Sequence, residues 1–261
     1  DPQEQAEHAG GCREICALYA RAIERAERSV YLEMQYFSSH EICEALVQRM
    51  RDRDAPPLSI VMVLNMEADS FKEEVAVGLA QAEVLATLRR VASATEHELG
   101  LYYTVPLGEP GQEPARATYI HSKLMIVDDR FLTVGSANLT NRSLNVDTEL
   151  QASFETLDPE DALGRSIAAL RRSLLAEHLG VTHLRELEDR VPALDALALA
   201  RAGRLRIHPA PNERERALLR VVDPQKLPFD PDRVPKQPRP SILAQSLRAW
   251  RRLRSARSQG E

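Results

Sequence analysis

Apolar residues recur along the chain in two different periods, and the alternation between them predicts the order of elements. From Cys12 to Arg28, Ile15, Leu18, Tyr19, Ala22, Ile23 and Ala26 return at helical spacing, which predicts an amphipathic helix packed on a sheet. A strand over Val30 to Phe37 follows, then a helix from about Glu41 to Arg51, the breaker Pro56-Pro57 and a buried strand over Leu58 to Leu64. Glu73 to Ala92 is again helical in pattern, and Tyr102 to Val105 reads as a short strand before a proline- and glycine-rich loop, Pro106 to Pro114. Leu124–Val127 and Phe131–Val134 are short apolar runs separated by Asp128-Asp129-Arg130, which predicts two buried strands joined by a tight connection. Strands alternating with helices in this way predict an α/β layered sandwich.

After Glu155 the pattern turns helical. Leu163, Ile167, Leu170, Leu174 and Leu175 lie at helical spacing within Pro159 to Leu179, Gly180 supplies a stop, and Leu184 to Ala202 reads as a further helix. From Asp223, six prolines between Pro224 and Pro240 exclude long regular structure. The chain then ends on an apolar stripe, Ile242, Leu243, Leu247, Trp250 and Leu253, flanked by Arg248, Arg251, Arg252, Arg254 and Arg257. Such a basic amphipathic helix suits an anionic membrane surface, and equally suits docking on its own protein with a solvated arginine face. The expected division is a catalytic domain over 1–156, a helical extension over 157–222, and a proline-rich linker with a basic tail over 223–261.

Composition narrows the class. With 261 residues and 43% hydrophobic content, the chain is long enough to bury a sizeable core. It opens at Asp1-Pro2 without an apolar leader and has no run of eighteen apolar residues, so the expectation is a piece of a larger protein that is soluble or peripheral to a membrane, with a bacterial cytoplasm favoured. Net charge is −5 with a pI of about 5.9, which argues against a duplex-binding surface. Cys12, Cys16 and Cys43 are too few for a structural metal site. There is no phosphate-binding glycine loop and no dinucleotide fingerprint, so no cofactor or metal is implied.

The candidate chemistry is concentrated between Ile120 and Leu150. His121 and Lys123 lie two apart on a strand and leave one face. The next strand ends at Gly135-Ser136, where backbone can approach a bound group closely, and Asn138 follows. A fixed cation with amide and hydroxyl donors suits the non-bridging oxygens of a phosphodiester, and a near-neutral histidine can attack phosphorus or protonate a leaving alcohol. Lys123, Asn138 and Ser136 are therefore candidate anion holders, His121 is the candidate catalyst, and Glu149 is the candidate partner that fixes its tautomer. Glu33 and Gln35, two apart on the first strand, are expected to face one side and either line a substrate cleft or solvate an edge. Asp128, in a turn, is placed to bond nearby backbone amides, with direct chemistry the lesser expectation.

His121-x-Lys123-x4-Asp128 followed by Gly135-Ser136-Ala137-Asn138 resembles the HKD signature of the phospholipase D superfamily. Asn141-Arg142-Ser143 and Asp147-Thr148-Glu149 resemble its continuation, and Val30 to Phe37 is similar to the strand opening the C-terminal half of bacterial two-motif members. The resemblance covers about residues 12 to 156 and the helical run after it. It implies a mixed central sheet flanked by helices, a phosphohistidine intermediate, a phospholipid substrate, and a catalytic set of His121, Lys123, Asn138 and Glu149, with Asp128 in structural support.

In that superfamily two signature copies meet across a pseudo-twofold axis. This chain has one, because His8, His40, His97, His178, His183 and His208 are not followed by lysine two residues on. The second copy is expected in cis, ahead of Asp1 in a parent protein, or in trans from a second identical chain. The cis arrangement is favoured, and by the resemblance it makes His121 the general acid. The leading expectation is a phospholipid phosphodiesterase or phosphatidyltransferase of phospholipase D or cardiolipin synthase type. A homodimeric nuclease and a non-catalytic membrane-binding half are the alternatives.

Overall fold

The computed structural model describes residues 13–66, 77–107, 116–181, 190–201, 203–220 and 230. The loop over Pro106 to Pro114 lies mostly outside these residues. So do Cys12, His8, His183, the start of the Glu73 helix, the first part of the Leu184 helix, the proline-rich segment apart from Asp230, and the basic tail.

A seven-stranded mixed sheet forms the centre. Its strands are β1 (Ser29–Met34), β2 (Ser59–Leu64), β3 (Glu98–Thr104), β4 (Lys123–Val127), β5 (Phe131–Gly135), β6 (Gln151–Glu155) and β7 (Leu205–Ile207), in spatial order β6-β5-β4-β1-β2-β3-β7. β1, β2 and β3 run parallel. β4 is antiparallel to β1, β5 to β4, β6 to β5 and β7 to β3. The parallel pairs are reached by crossovers through α2 (His40–Arg51) and α3 (Leu79–Ala92), whereas β4 and β5 are joined by the tight Asp128-Asp129 connection.

Each face of the sheet is covered by helices. α1 (Glu14–Glu24), α2 and α3 bury Tyr19, Ile23, Ile42, Leu46, Leu85 and Leu88 against Val30, Leu32, Met34, Ile60, Met62 and Met125. Opposite them, α5 (Ala162–Leu179) and α6 (Val191–Leu199) bury Ile167, Leu175, Leu179 and Leu194 against Tyr31, Val61, Val63, Leu124 and Ile126. Each fully buried leucine, isoleucine or methionine contributes about 1.5–3 kcal/mol. Residues after 157, set apart by pattern as an extension, thus supply the sheet's second helical layer and its edge strand β7. Two short helices, α4 (Asn141–Asn145) and α7 (Glu213–Leu219), complete the described elements.

Local chemistry explains the element ends. Ser39 caps α2 by accepting from the Ile42 amide, and Asp161 caps α5 by accepting from the Gly164 amide at 2.7 Å. Gly180 ends α5 in the left-handed conformation at φ 72°. Arg171 of α5 holds Asp129 in a two-pronged ion pair at 2.7 and 2.8 Å, fastening the helix to the β4–β5 turn.

Two strand expectations change. β4 is buried at all five positions, but β5 is buried only at Thr133, because it lies one strand from the sheet edge and β6 outside it is largely exposed. The first strand stops at Met34, and Gln35 sits in a bend instead of extending it to Phe37.

Candidate active site

One end of the sheet collects the candidate residues because of the topology. Gln35 and Asn65 follow the carboxyl ends of β1 and β2. β4 and β6 run the other way, so His121 and Glu149 precede them at the same end, and Ser136 and Asn138 follow β5 there too. Ligands of sheets with parallel strands commonly bind beyond the carboxyl ends.

Lys123 is 5% exposed, and its ammonium donates to the Gln35 side-chain oxygen at 2.6 Å and to the His121 carbonyl at 2.8 Å. Burial lowers its pKa, and the Glu149 charge partly opposes this. The Asn138 amide donates to the same Gln35 oxygen at 3.3 Å. Cation and amide therefore converge on one acceptor, the geometry that would hold a phosphate oxygen. Gln35 donates from its own amide to the Tyr119 hydroxyl at 2.5 Å, and the Tyr119 ring stacks on that of His121 with centroids 6.1 Å apart and planes 27° apart. His121 is itself exposed, as a group that meets substrate must be.

The backbone on both sides of His121 is clamped. Asn65, 2% exposed, donates to the Ile120 carbonyl at 3.0 Å and accepts from the Ile120 amide at 2.6 Å. On the other side, the Ser122 carbonyl accepts from the Gln35 amide at 3.1 Å, and the Ser122 hydroxyl donates to Glu33 at 2.8 Å.

Two expectations are revised. Glu149 accepts from the Ser136 hydroxyl at 2.5 Å, and among the described residues no hydrogen bond joins it to His121. Glu33 and Gln35 do not share a face: Glu33 turns into the buried layer under α5, while the bend after Met34 carries Gln35 to Lys123. Glu33 therefore lines no cleft. Asp128, expected to bond nearby backbone amides, lies away from the catalytic group. It follows the last residue of β4, five residues from Lys123 and about 16 Å away at 3.3 Å per residue. Its carboxylate, 2% exposed, accepts from the Glu27, Arg28 and Ser29 amides at 2.7, 2.7 and 2.8 Å, locking the turn into β1. Ser136 stands at the site, with its hydroxyl shared between Glu149 and the Leu150 amide.

Sequence reasoning missed Tyr119, Asn65 and His178. Tyr119 alone had a local signal, standing two residues before His121 on what becomes the same run. Among the described residues no three or more His, Cys, Asp or Glu side chains gather as for a metal ion, and no helix is long and apolar enough to cross a membrane.

Residues 19–160, more than half of the chain, match the family model described as cardiolipin synthase, PLD-like domain. The chain is a member of the phospholipase D superfamily. Within it, the chain belongs to the cardiolipin synthase-type PLD-like domain family. It is 26% identical over 208 residues to phospholipase D zeta 1 of Arabidopsis thaliana, covering 64% of this chain and 19% of that protein. It is 29% identical over 203 residues to phospholipase D A of Dictyostelium discoideum, covering 65% of this chain and 16% of that protein. The chain thus spans about a fifth or less of the length of these relatives. Among solved structures, the phospholipase D family member Nuc from Salmonella typhimurium superposes with a TM-score of 0.44 at 15% identity, covering 68% of this chain and 93% of that one.

Proposed function

We propose that this chain supplies one of two HKD halves of an enzyme that cleaves or exchanges the phosphodiester of a phospholipid through a phosphohistidine intermediate. The observation that carries this reading is the convergence of the Lys123 ammonium and the Asn138 amide on one oxygen beside the exposed His121. In substrate, a non-bridging phosphate oxygen takes the place of the Gln35 oxygen. A histidine of the second half attacks phosphorus, a P–N bond forms, the P–O bond to the leaving alcohol breaks, and His121 delivers the proton to that oxygen. Water or an acceptor alcohol then gives its proton to His121 and attacks phosphorus, breaking the P–N bond. Lys123 and Asn138 neutralise the charge that builds on the equatorial oxygens. Glu149, bonded to Ser136, supplies the carboxylate of the site.

A second half has a surface to cover. Tyr119, Val134 and Leu150, at the site's rim, are 44%, 40% and 80% exposed. That half comes in cis from the parent polypeptide or in trans from a second copy, and the enzyme works on a membrane surface as a peripheral protein. Net charge of −5 disfavours the alternative, a homodimeric nuclease. The test is turnover of phosphatidylcholine or phosphatidylglycerol vesicles, with mass in solution recorded and His121→Ala as control. Hydrolysis or head-group exchange that His121→Ala abolishes supports the reading, and normal turnover by that variant overturns it.

A further inference from the structure

Behind the strand that carries His121 and Lys123, a buried carboxylate collects three donors. Lys123 stands opposite Met34, on the face covered by α1 to α3, whereas Leu124 stands opposite Glu33, on the face covered by α5. The Ser122 side chain, just before β4, reaches the Leu124 side, where it meets Glu33. There Glu33, 4% exposed, accepts from the Ser122 hydroxyl at 2.8 Å, from the Tyr31 hydroxyl at 2.6 Å and from His178 Nε2 at 2.6 Å. His178 is in the last turn of α5, 145 residues away, and is 9% exposed. Burial raises the Glu33 pKa, but the bond and charge of His178 and the two hydroxyls outweigh it and leave the carboxyl lowered. A buried carboxylate and imidazole cost desolvation that an apolar pair of similar volume avoids. Packing alone does not account for the cluster, and among the described residues the one hydrogen bond to Glu33 from outside β1 and α5 comes from the residue between His121 and Lys123.

We infer that Glu33, held by His178 and Tyr31, is a positioning residue that fixes Ser122 and through it the directions in which His121 and Lys123 leave the strand. Of the two groups fastened to Ser122, the Gln35 amide holds its carbonyl and Glu33 its side chain, so rotation of the peptide at 122 is blocked from both faces. The last turn of α5 thereby becomes part of the active site without touching substrate. This inference rests on His121 being the catalytic group.

Two readouts test it. The first needs no turnover: the imidazole resonances of His121 in this chain, recorded by NMR, shift in Ser122→Ala and in Glu33→Gln. Both variants keep the wild-type circular dichroism. The second is kinetics on the catalytically complete enzyme, as a dimer of this chain or with its second half. Ser122→Ala and Glu33→Gln lower kcat about 10–100-fold with KM within about twofold. His178→Gln, which keeps a donor for Glu33, retains most of the kcat that His178→Ala loses. Folded Ser122→Ala and Glu33→Gln proteins with unmoved His121 resonances overturn the inference, as does wild-type kcat in both. Turnover that survives His121→Ala would instead overturn the proposed function and leave the resonance test standing.

Discussion

The ammonium of Lys123 and the side-chain oxygen of Gln35 lie 2.6 Å apart among buried residues, a buried cation answered directly by a neutral group. Burial without a bonded carboxylate costs stability, the signature of a group kept for chemistry. Lys123→Met is expected to lose at least ~100-fold of turnover while its melting temperature stays level or rises. The sign with pH follows from the lowered pKa. The folded state releases the Lys123 proton before the unfolded chain does, so the cost is full below the folded pKa and fades as pH rises from there to 10.5. Denaturant midpoints of the two proteins should draw together across that window, and a gap that widens would refute the assignment.

Asp128 predicts the opposite pairing of effects. Its carboxylate accepts from three amides at the start of β1 while its backbone is left-handed at φ 55°. Asparagine tolerates that backbone, so Asp128→Asn isolates the carboxylate. It is expected to cost about 2–4 kcal/mol, from the loss of charge-assisted bonds and an amide group turned against donors. Turnover per folded molecule should stay within about threefold, because the residue sits at the far end of β4 from Lys123. Urea unfolding alongside specific activity separates the two.

The pattern of apolar positions located α1, α2, β2, β4 and α5 to within a few residues because each buries a full face or stripe. It missed β6, whose Gln-Ala-Ser-Phe-Glu has one large apolar side chain, because an edge strand with four exposed positions has little apolar surface to repeat. The HKD spacing located His121, Lys123 and Asn138 because all three come from strand ends separated by a short turn. Glu33 was visible as a residue but not as a role. Its partner His178 is 145 positions away, and no local period reports a tertiary pair. Gln35 escaped its predicted face for a smaller reason: alternation holds only within a strand, and the strand ends one residue earlier.

Gly135 is required by the close approach of β6. A Cβ there would overlap the Leu150 carbonyl oxygen and the Gln151 side-chain oxygen, and the first is backbone that cannot rotate away. Gly135→Ala is expected to destabilise by about 1–3 kcal/mol. Because the Ser136 amide donates to the Leu150 carbonyl and the Leu150 amide donates to the Ser136 hydroxyl, both at 3.0 Å, the same change should displace Glu149 and lower kcat. A crystal structure of the variant, or hydrogen exchange at the Ser136 amide, reads the displacement.

The carboxylate of Asp230 ties a distant part of the chain to the rim of the site. It accepts from the Ser38 hydroxyl at 2.6 Å and from the Asn141 and Arg142 amides at 3.1 and 2.7 Å, and it is 5% exposed. Those three partners belong to the two segments that leave Gln35 and Asn138, themselves joined where Ser38 and Ser39 donate to the Leu139 carbonyl at 2.9 and 2.8 Å. Removing the carboxylate takes one acceptor from a buried hydroxyl and from two amides at once, a loss of about 2–3 kcal/mol. Asp230→Ala should therefore speed hydrogen exchange at Asn141 and Arg142 before it affects Glu27 or Ser29 at the sheet's other end. A chain ended at residue 222 should behave like Asp230→Ala in that measurement. Unchanged exchange at Asn141 and Arg142 in both proteins would show that the turn holds its shape without this anchor.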